Sequence, residues 1–454
     1  MKALSFLFSA CLFACIITSC KKDRPPSSNK SIDSLQLLKA DSTAFNPDDI
    51  TITMGSGDSI LVSLPAFTDV THLIPVFQIT GKTISPASGV RQDFSTPVTY
   101  TVTAQDGSQR QYRIVVNLRG AVYFGCSDNF FYAVDAIRGK QLWKTAGGDF
   151  SYSDPTLANG IIYAGNIDNN MYALDAATGA VKWSYKTDFT IESAPTVANG
   201  IVYFGNDKAH FYALDANTGE LKWQFNTGGN ISTKPVVLNG VVYFGSDDSY
   251  VYALDAGSGG VVWKFQTGGM INGSSPAIAN GTLYIGSRDS YLYALDAASG
   301  TFKWKFFADN ISLEQSSATV ADGVVYIGGW YNVQDFTKAG SLYAVDAVTG
   351  TLKWQALNAV GIGSNPVVAA GLLYITCDDN NLYAVDINSH AVAWSRQILA
   401  NGASAAVGGG VVYCGGGGSH NFYAMDAKTG AVKWTFPIGS LGTSTPVIAG
   451  QPGL

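Results

Sequence analysis

The chain has 454 residues and a formal net charge of −6; only 14% of its residues are charged and 50 are glycine. That charge density is well below the ~25% usual in globular domains. With no basic stripe, it excludes a nucleic-acid-binding surface. Of six cysteines none forms a CxxC, a CxxCH or an adjacent pair, which leaves no disulfide framework and no haem attachment.

Residues 1–20 read as a lipoprotein signal peptide. Met1-Lys2 brings positive charge, Leu4 to Ile17 is a short apolar run, and Ile17-Thr-Ser-Cys20 closes it. The run is too short to span a bilayer comfortably. A branched residue, two small residues and a cysteine resemble the lipobox of bacterial lipoproteins. The resemblance implies a lipid anchor on Cys20, and Lys21 after it favours the outer membrane. Which side of that membrane the chain faces stays open. Residues 21–31 are polar with Pro and Ser and are expected to form a solvated, extended tether.

Residues 32–118 alternate in short strands: Ile50–Met54, Ser59–Leu64, Val98–Thr103 and Gln111–Val116, the last two joined at Asp106-Gly107. About 85 residues of this pattern predict a small β-sandwich. From Leu64-Pro65, Thr68–Thr71, Pro86–Phe94 and Tyr100–Gly107 it resembles the immunoglobulin-like or cadherin-like modules of bacterial surface lipoproteins. Such a module implies a spacer, with glycan or protein binding as the alternative.

From residue 119 to 454 the chain is periodic. Trp143, Trp183, Trp223, Trp263, Trp304, Trp354, Trp394 and Trp434 are separated by 40, 40, 40, 41, 50, 40 and 40 residues. A period of that length in strand-like sequence means a β-propeller, four strands to a blade. Each unit carries a Tyr in its second strand (Tyr123 to Tyr413), another in its third (Tyr132 to Tyr423), and an Asp three residues later (Asp135 to Asp426). A carboxylate there can accept backbone N–H bonds and pin the following turn. The Trp on the outer strand can seal one blade against the next. The wheel starts at Ala121 with a second strand and ends at Thr443–Gly450 with a lone inner strand. The two halves are expected to close one 3+1 blade, giving an all-β chain with an eight-bladed propeller behind the sandwich.

The unit resembles the pyrroloquinoline-quinone (PQQ)-type repeat, through Val-Tyr-Phe-Gly, Tyr-Ala-Leu-Asp-Ala, Thr-Gly and Trp, over residues 121–450. In that family the Trp is the docking contact between blades. The layout is also similar to that of the lipoprotein subunit of the outer-membrane β-barrel assembly machinery, although the extra sandwich departs from it. Quinoprotein alcohol and sugar dehydrogenases share the repeat, but their site uses adjacent cysteines, a calcium ion on Glu and Asn, and a catalytic Asp in longer loops. This chain has no adjacent cysteines and mostly minimal loops. Neither PQQ nor calcium is therefore expected, and no catalytic residue is assigned.

Spacing fails in one unit. From the inner-strand position to the Trp the regular count is 28 residues; from Ala318 to Trp354 it is 36, an insertion of eight within Gly329–Gly340. The loop before that blade is two residues longer than usual. Trp330, Tyr331, Asp335 and Phe336 in the insertion, with Asp309 and Glu314 in the loop, are the candidate ligand residues. The alternative is a surface insertion whose aromatics pack on the adjacent loop. A second candidate is a hydroxyl ring at the inner-strand entrances, formed by Ser153, Ser193, Thr233, Ser274, Ser316, Ser364 and Ser444, broken at Ala403 and lining either the channel mouth or merely a crowded axis. The four histidines are scattered, with no metal-ligand spacing. Cys126, Cys377 and Cys414 are expected as buried free thiols. The sequence thus points to a monomeric binding protein on the outer membrane that holds an extracellular glycan, a peptide or an outer-membrane protein. A scaffold in outer-membrane protein assembly and a quinoprotein dehydrogenase are the alternatives.

Overall fold

The computed structural model describes residues 25–55, 58–335, 340–358, 361–399, 403–440 and 442–450. The signal peptide, Cys20 and Phe336 lie outside them. The described residues form two compact units. One runs up to Ser63 and takes in Asp69–Val116; the other joins Leu64–Thr68 to the residues from Asn117 onward.

The first unit has seven strands: β1 (Ile32–Leu38), β2 (Thr51–Met54), β3 (Ser59–Leu64), β4 (Ile74–Ile79), β5 (Thr83–Ser85), β6 (Val98–Thr103) and β7 (Gln109–Leu118). They make a five-stranded sheet, β2-β3-β7-β6-β5, and a β1-β4 ladder. Alternation puts Tyr100, Val102, Tyr112 and Ile114 on the buried face, and Phe77 of β4 packs on Tyr100 with ring centroids 4.6 Å apart. The β6–β7 hairpin turns where expected, with Gly107 at φ +84°. The sequence pattern had not marked β1, β4 or β5. The expected tether is shorter than residues 21–31, because Lys30 Nζ already donates to Ser108 Oγ at 2.7 Å and Asp106 N to the Ser27 carbonyl at 3.3 Å.

The second unit is the propeller: eight four-stranded antiparallel sheets. Blade 1 is Ala121–Cys126, Phe130–Asp135 and Gln141–Ala146, completed by Val447–Ala449 from the end of the chain. Val447 pairs with Tyr123 and Ala449 with Ala121. The expected 3+1 closure is thus present, and blade 1 gains its inner strand from the end of the wheel.

Burial changes with radius. Second strands such as Ala121–Cys126 are wholly buried, since each sheet is covered on both faces by its neighbours. Outer strands such as Leu221–Asn226 alternate toward solvent. The hydrophobic core is therefore a set of interblade layers. Met171 and Ile191 of blade 2 and its exit loop meet Val202, Phe204 and Leu214 of blade 3. Each such side chain contributes roughly 1.5–3 kcal/mol of burial.

The repeated aromatics converge on a single atom. Tyr203 Oη and Trp223 Nε1, both of blade 3, donate to the Ala256 carbonyl of blade 4 at 2.9 and 3.1 Å. The same fork joins blade 8 to blade 1, through Tyr413 and Trp434 onto Ala136 O. Seven of these eight Trp rings also cover the turn glycine of the next blade; Gly259, at φ +73°, lies under Trp223, where a Cβ would strike the ring. In blade 7 the turn residue is His390, which stacks on Trp354 at 4.7 Å. The rim aspartates act on their turns: Asp215 Oδ1 accepts from Asn217 N and Thr218 N. Cys126, Cys377 and Cys414 are buried and unbridged. Among the described residues, no helix is long and apolar enough to cross a membrane.

Candidate functional site at the channel mouth

Each inner strand enters the wheel from an interblade loop, so the first residues of eight inner strands encircle the axis. The hydroxyl ring read from the sequence is one residue out of register with the channel. Ser153, Ser193, Thr233, Ser274, Ser316, Ser364 and Ser444 are all buried. Their hydroxyls tie the strand entrance to the end of the second strand: Ser153 Oγ accepts from Gly165 N at 3.1 Å and Ser274 Oγ from Gly286 N at 2.9 Å. Successive strand side chains point to opposite sides, so the residue after each of these faces the axis instead.

That next position reads Asp154, Ala194, Lys234, Ser275, Ser317, Asn365, Ser404 and Thr445 around the wheel, and all eight line one cavity of about 840 Å³. Part of the ring is laced blade to blade. Lys234 N donates to Ser275 Oγ (2.8 Å), Ser275 N to Ser317 Oγ (2.9 Å), Ser317 N to Asn365 Oδ1 (2.6 Å), and Asn365 N to Ser404 Oγ (2.8 Å). Thr445 N closes onto Asp154 Oδ1 at 2.7 Å. One step outward, Tyr152, Glu192, Ser232 and Gln315 widen the neck into a mouth. Tyr152 is 59% exposed there.

The mouth is electrostatically strained. Burial pushes the Asp154 carboxyl up, while the Thr445 N–H and hydroxyl and the Lys234 ammonium pull it back. Burial pushes the Lys234 ammonium down, opposed by Asp154. Glu192 is raised to about 6, first by burial and then by Asp207 and Asp247. Asp207 and Asp247 are themselves raised by burial.

The insertion of blade 6 borders this mouth. Its neck is pinched by glycine: a Cβ on Gly340 would overlap the Gly329 carbonyl. Beyond the pinch it pairs with the long loop before the blade, through Ser312 N to Tyr331 O (2.8 Å) and Trp330 N to Ser312 O (3.0 Å). The two irregularities of the sequence are thus one structure. Trp330 and Tyr331 meet edge to face at 4.8 Å. Trp330 Nε1 donates to Asp378 Oδ2 of blade 7 at 2.8 Å, and Tyr331 Oη to Glu314 Oε1 at 3.3 Å. Arg288 Nε lies 3.8 Å from Glu314 Oε1. Glu314 is buried, and that burial raises its carboxyl. From Glu314 the rim runs inward: Gln315 Nε2 donates to Asn272 Oδ1 (3.2 Å), whose Nδ2 reaches Asp247 Oδ1 (3.3 Å).

Trp330, Tyr331 and Glu314 therefore come together. Asp309 is exposed at the outer-strand end of the loop, where its carbonyl accepts from Asn332 Nδ2. Asp335 is half-buried, its N–H bonded to Asn332 Oδ1 at 2.9 Å. Sequence reasoning missed Arg288, Asp378, Tyr152, Asp154, Glu192 and Lys234. The last four carried a signal: Asp, Ala and Lys break a run of hydroxyls and an amide at one repeat position, and Tyr and Glu stand out two residues before it.

These features define an eight-bladed propeller of the quinone-type repeat with a polar, carboxylate-rich channel mouth. The family model described as outer membrane protein assembly factor BamB matches residues 102–194, 188–396 and 338–451, and the chain belongs to that family. A second model, described as SGBP, N-terminal, matches residues 41–116. Among solved structures, BamB from Moraxella catarrhalis is similar at 19% identity and a TM-score of 0.54, over 68% of this chain and 88% of that one. A europium-containing methanol dehydrogenase matches at 16% identity and 0.53, over 61% and 76%. The computationally designed Ika8 protein matches at 16% and 0.53, over 70% and 97%. These likenesses carry the fold. No curated protein matches the chain.

The donor set of the neck does not suit PQQ, a tricarboxylate. Asp154, Glu192, Asp207, Asp247 and Glu314 line or rim it, against Lys234 and Arg288 as neighbouring cations. The cysteines of the described residues lie within separate strands or at a strand end, not side by side.

Proposed function

We propose that this chain is a non-enzymatic binding protein, lipid-anchored to the outer membrane at Cys20, that holds a glycan on the propeller face carrying the channel mouth and the blade-6 insertion. One observation carries this reading. A module matching the SGBP, N-terminal model, a surface glycan-binding family, is joined in one chain to a propeller whose mouth sets the aromatics Trp330 and Tyr331 beside Glu314, Asp378 and Arg288. Aromatic faces stack on sugar rings, and flanking carboxylates and guanidinium groups take their hydroxyls. Cofactor chemistry is not part of this reading.

Affinity electrophoresis of the soluble mature chain against a polysaccharide panel tests it. Retardation by at least one glycan, reduced tenfold or more by Trp330→Ala with Tyr331→Ala, is expected. No retardation by any glycan would overturn it. The BamB family match favours a second reading, a scaffold for outer-membrane protein assembly. Recovery of barrel-assembly components with the tagged chain from detergent-solubilised outer membrane would support that reading instead.

A further inference from the structure

The neck of the channel contains groups that the rim does not need. Lys234 Nζ makes no hydrogen bond or ion pair among the described residues, although the residue is half-buried in the wall of the cavity. The Glu192 carboxylate likewise has no hydrogen-bond partner among them. Unpaired charges in such a setting are costly, and proteins usually pair or expose them. Here they are held apart around an open space. In ring order Asp154, Ala194 and Lys234 are consecutive, and Ala194 is the one position of the eight without a polar side chain. The result is a notch, a carboxylate on one side and an ammonium on the other, with Glu192 just outside it. Tyr152, the exposed aromatic of the mouth, is two residues from Asp154.

We propose that this notch is a site for the end of a neutral saccharide chain. A terminal pyranose enters the neck, its ring against Tyr152 and its hydroxyls shared between the Lys234 ammonium and the carboxylates of Asp154 and Glu192. The proposal rests on the glycan reading and adds to it a second subsite and a polarity. Three properties of the neck select this ligand. An anion would gain Lys234 but face Asp154, Glu192, Asp207 and Asp247. A cation would bring its charge beside Lys234. A sugar hydroxyl donates and accepts at one oxygen, so it satisfies ammonium and carboxylate together. The other side of the neck continues the pattern: Ser275 and Ser404 accept from neighbouring backbone N–H groups, which leaves their hydroxyl protons free to donate to a ligand in the neck. A cavity of about 840 Å³ is within the range of small-ligand sites. Because the ring of inner strands encircles it, only a chain end can enter.

Calorimetry of the soluble mature chain with neutral mono- to tetrasaccharides, prepared from any polysaccharide that binds, tests the site. Tyr152→Ala, Lys234→Met and Glu192→Gln are the variants, each checked for folding by its thermal melt. Tyr152 is exposed and the other two substitutions remove a half-buried, unpaired charge, so the fold should survive all three. Short-oligosaccharide affinity is expected to fall tenfold or more in each variant. In wild type, affinity counted per chain end should not depend on chain length. Wild-type affinity in all three variants would overturn the neck site and leave the rim reading standing. Affinity that grows with internal units and ignores ends would do the same. A wild-type chain that binds no saccharide would overturn both.

Discussion

At the scale of single residues, the propeller spends polar atoms where they hold blades together and leaves a few charged ones uncompensated. Glu192 belongs to the second kind. Its folded carboxyl is raised from the ordinary 4.5 to about 6 by burial and by Asp207 and Asp247, so the folded state holds the proton more tightly than the unfolded chain. Stability should fall as pH rises through that window, and the cost is fully present above it. Glu192→Gln should therefore stabilise the protein at pH 7.5, by about 1 kcal/mol after allowing for its opening onto the channel. The gain should vanish near pH 4.5, and equal melting shifts at both pH values would contradict this account. The Tyr–Trp forks belong to the first kind. Tyr203→Phe or Trp223→Phe alone leaves the Ala256 carbonyl one donor; the first should cost about 1 kcal/mol, and the second more, because the smaller ring also uncovers Gly259. The double variant orphans a buried acceptor and should cost more than the sum. A strictly additive cycle by denaturant unfolding would count against a shared carbonyl.

At the scale of elements, the insertion of blade 6 is closed where the regular loops are closed. Gly328 pairs with Leu342 just as Gly286 pairs with Leu292 in blade 5. Residues 329–341 can thus be exchanged for the five residues Ser287–Tyr291 of the regular blade without moving a strand. Because Ser312 loses its backbone bonds to Trp330 and Tyr331, the exchange should cost about 2 kcal/mol. The wheel should stay folded while retention on long glycan is lost. A folded chimera with undiminished retention would move the rim site elsewhere. This element also shows how far spacing alone can reach. Counting residues located the insertion and the long loop, because both are departures from a period. Counting could not show that the loop and insertion pair with each other, nor that Trp330 turns toward Asp378 on blade 7 while Tyr331 turns toward Glu314. Those partners come from different blades. The first unit was less legible. Its β4, Ile74-Pro-Val-Phe-Gln-Ile79, contains a proline and lacks strict alternation, and β1 is a ladder partner that local pattern does not reveal.

At the scale of the whole molecule, closure is the decisive event. Val447–Ala449 contributes three residues to blade 1, yet these join the last of the wheel to the first. Ending the chain at Gly442 would expose the edge of Ala121–Cys126, a wholly buried strand that includes Val122, Tyr123 and Phe124. Such an edge invites pairing between molecules. The truncated chain should melt several degrees lower and show concentration-dependent association in size-exclusion chromatography. A truncated protein as stable and as dispersed as the full chain would mean that the wheel does not depend on this strand.

The sequence by itself determined the architecture of the wheel, its blade count, its 3+1 closure and the one irregular blade. Those are properties of a repeated local unit, and each repeat states its own strands, turn and docking aromatics. The channel mouth was decided only by the tertiary structure. Asp154, Glu192 and Lys234 belong to neighbouring repeats some 40 residues apart, and nothing local says that they face one cavity. Which residue of each strand entrance points to the axis depends on strand register, and a slip of one residue turns a channel lining into a buried tie between strands. The repeat pattern leaves the hydroxyl ring open between the channel mouth and a crowded axis, and only the strand register decides that these hydroxyls are buried ties. Curvature of eight sheets around a single axis, rather than the content of any one of them, brings the charged groups together.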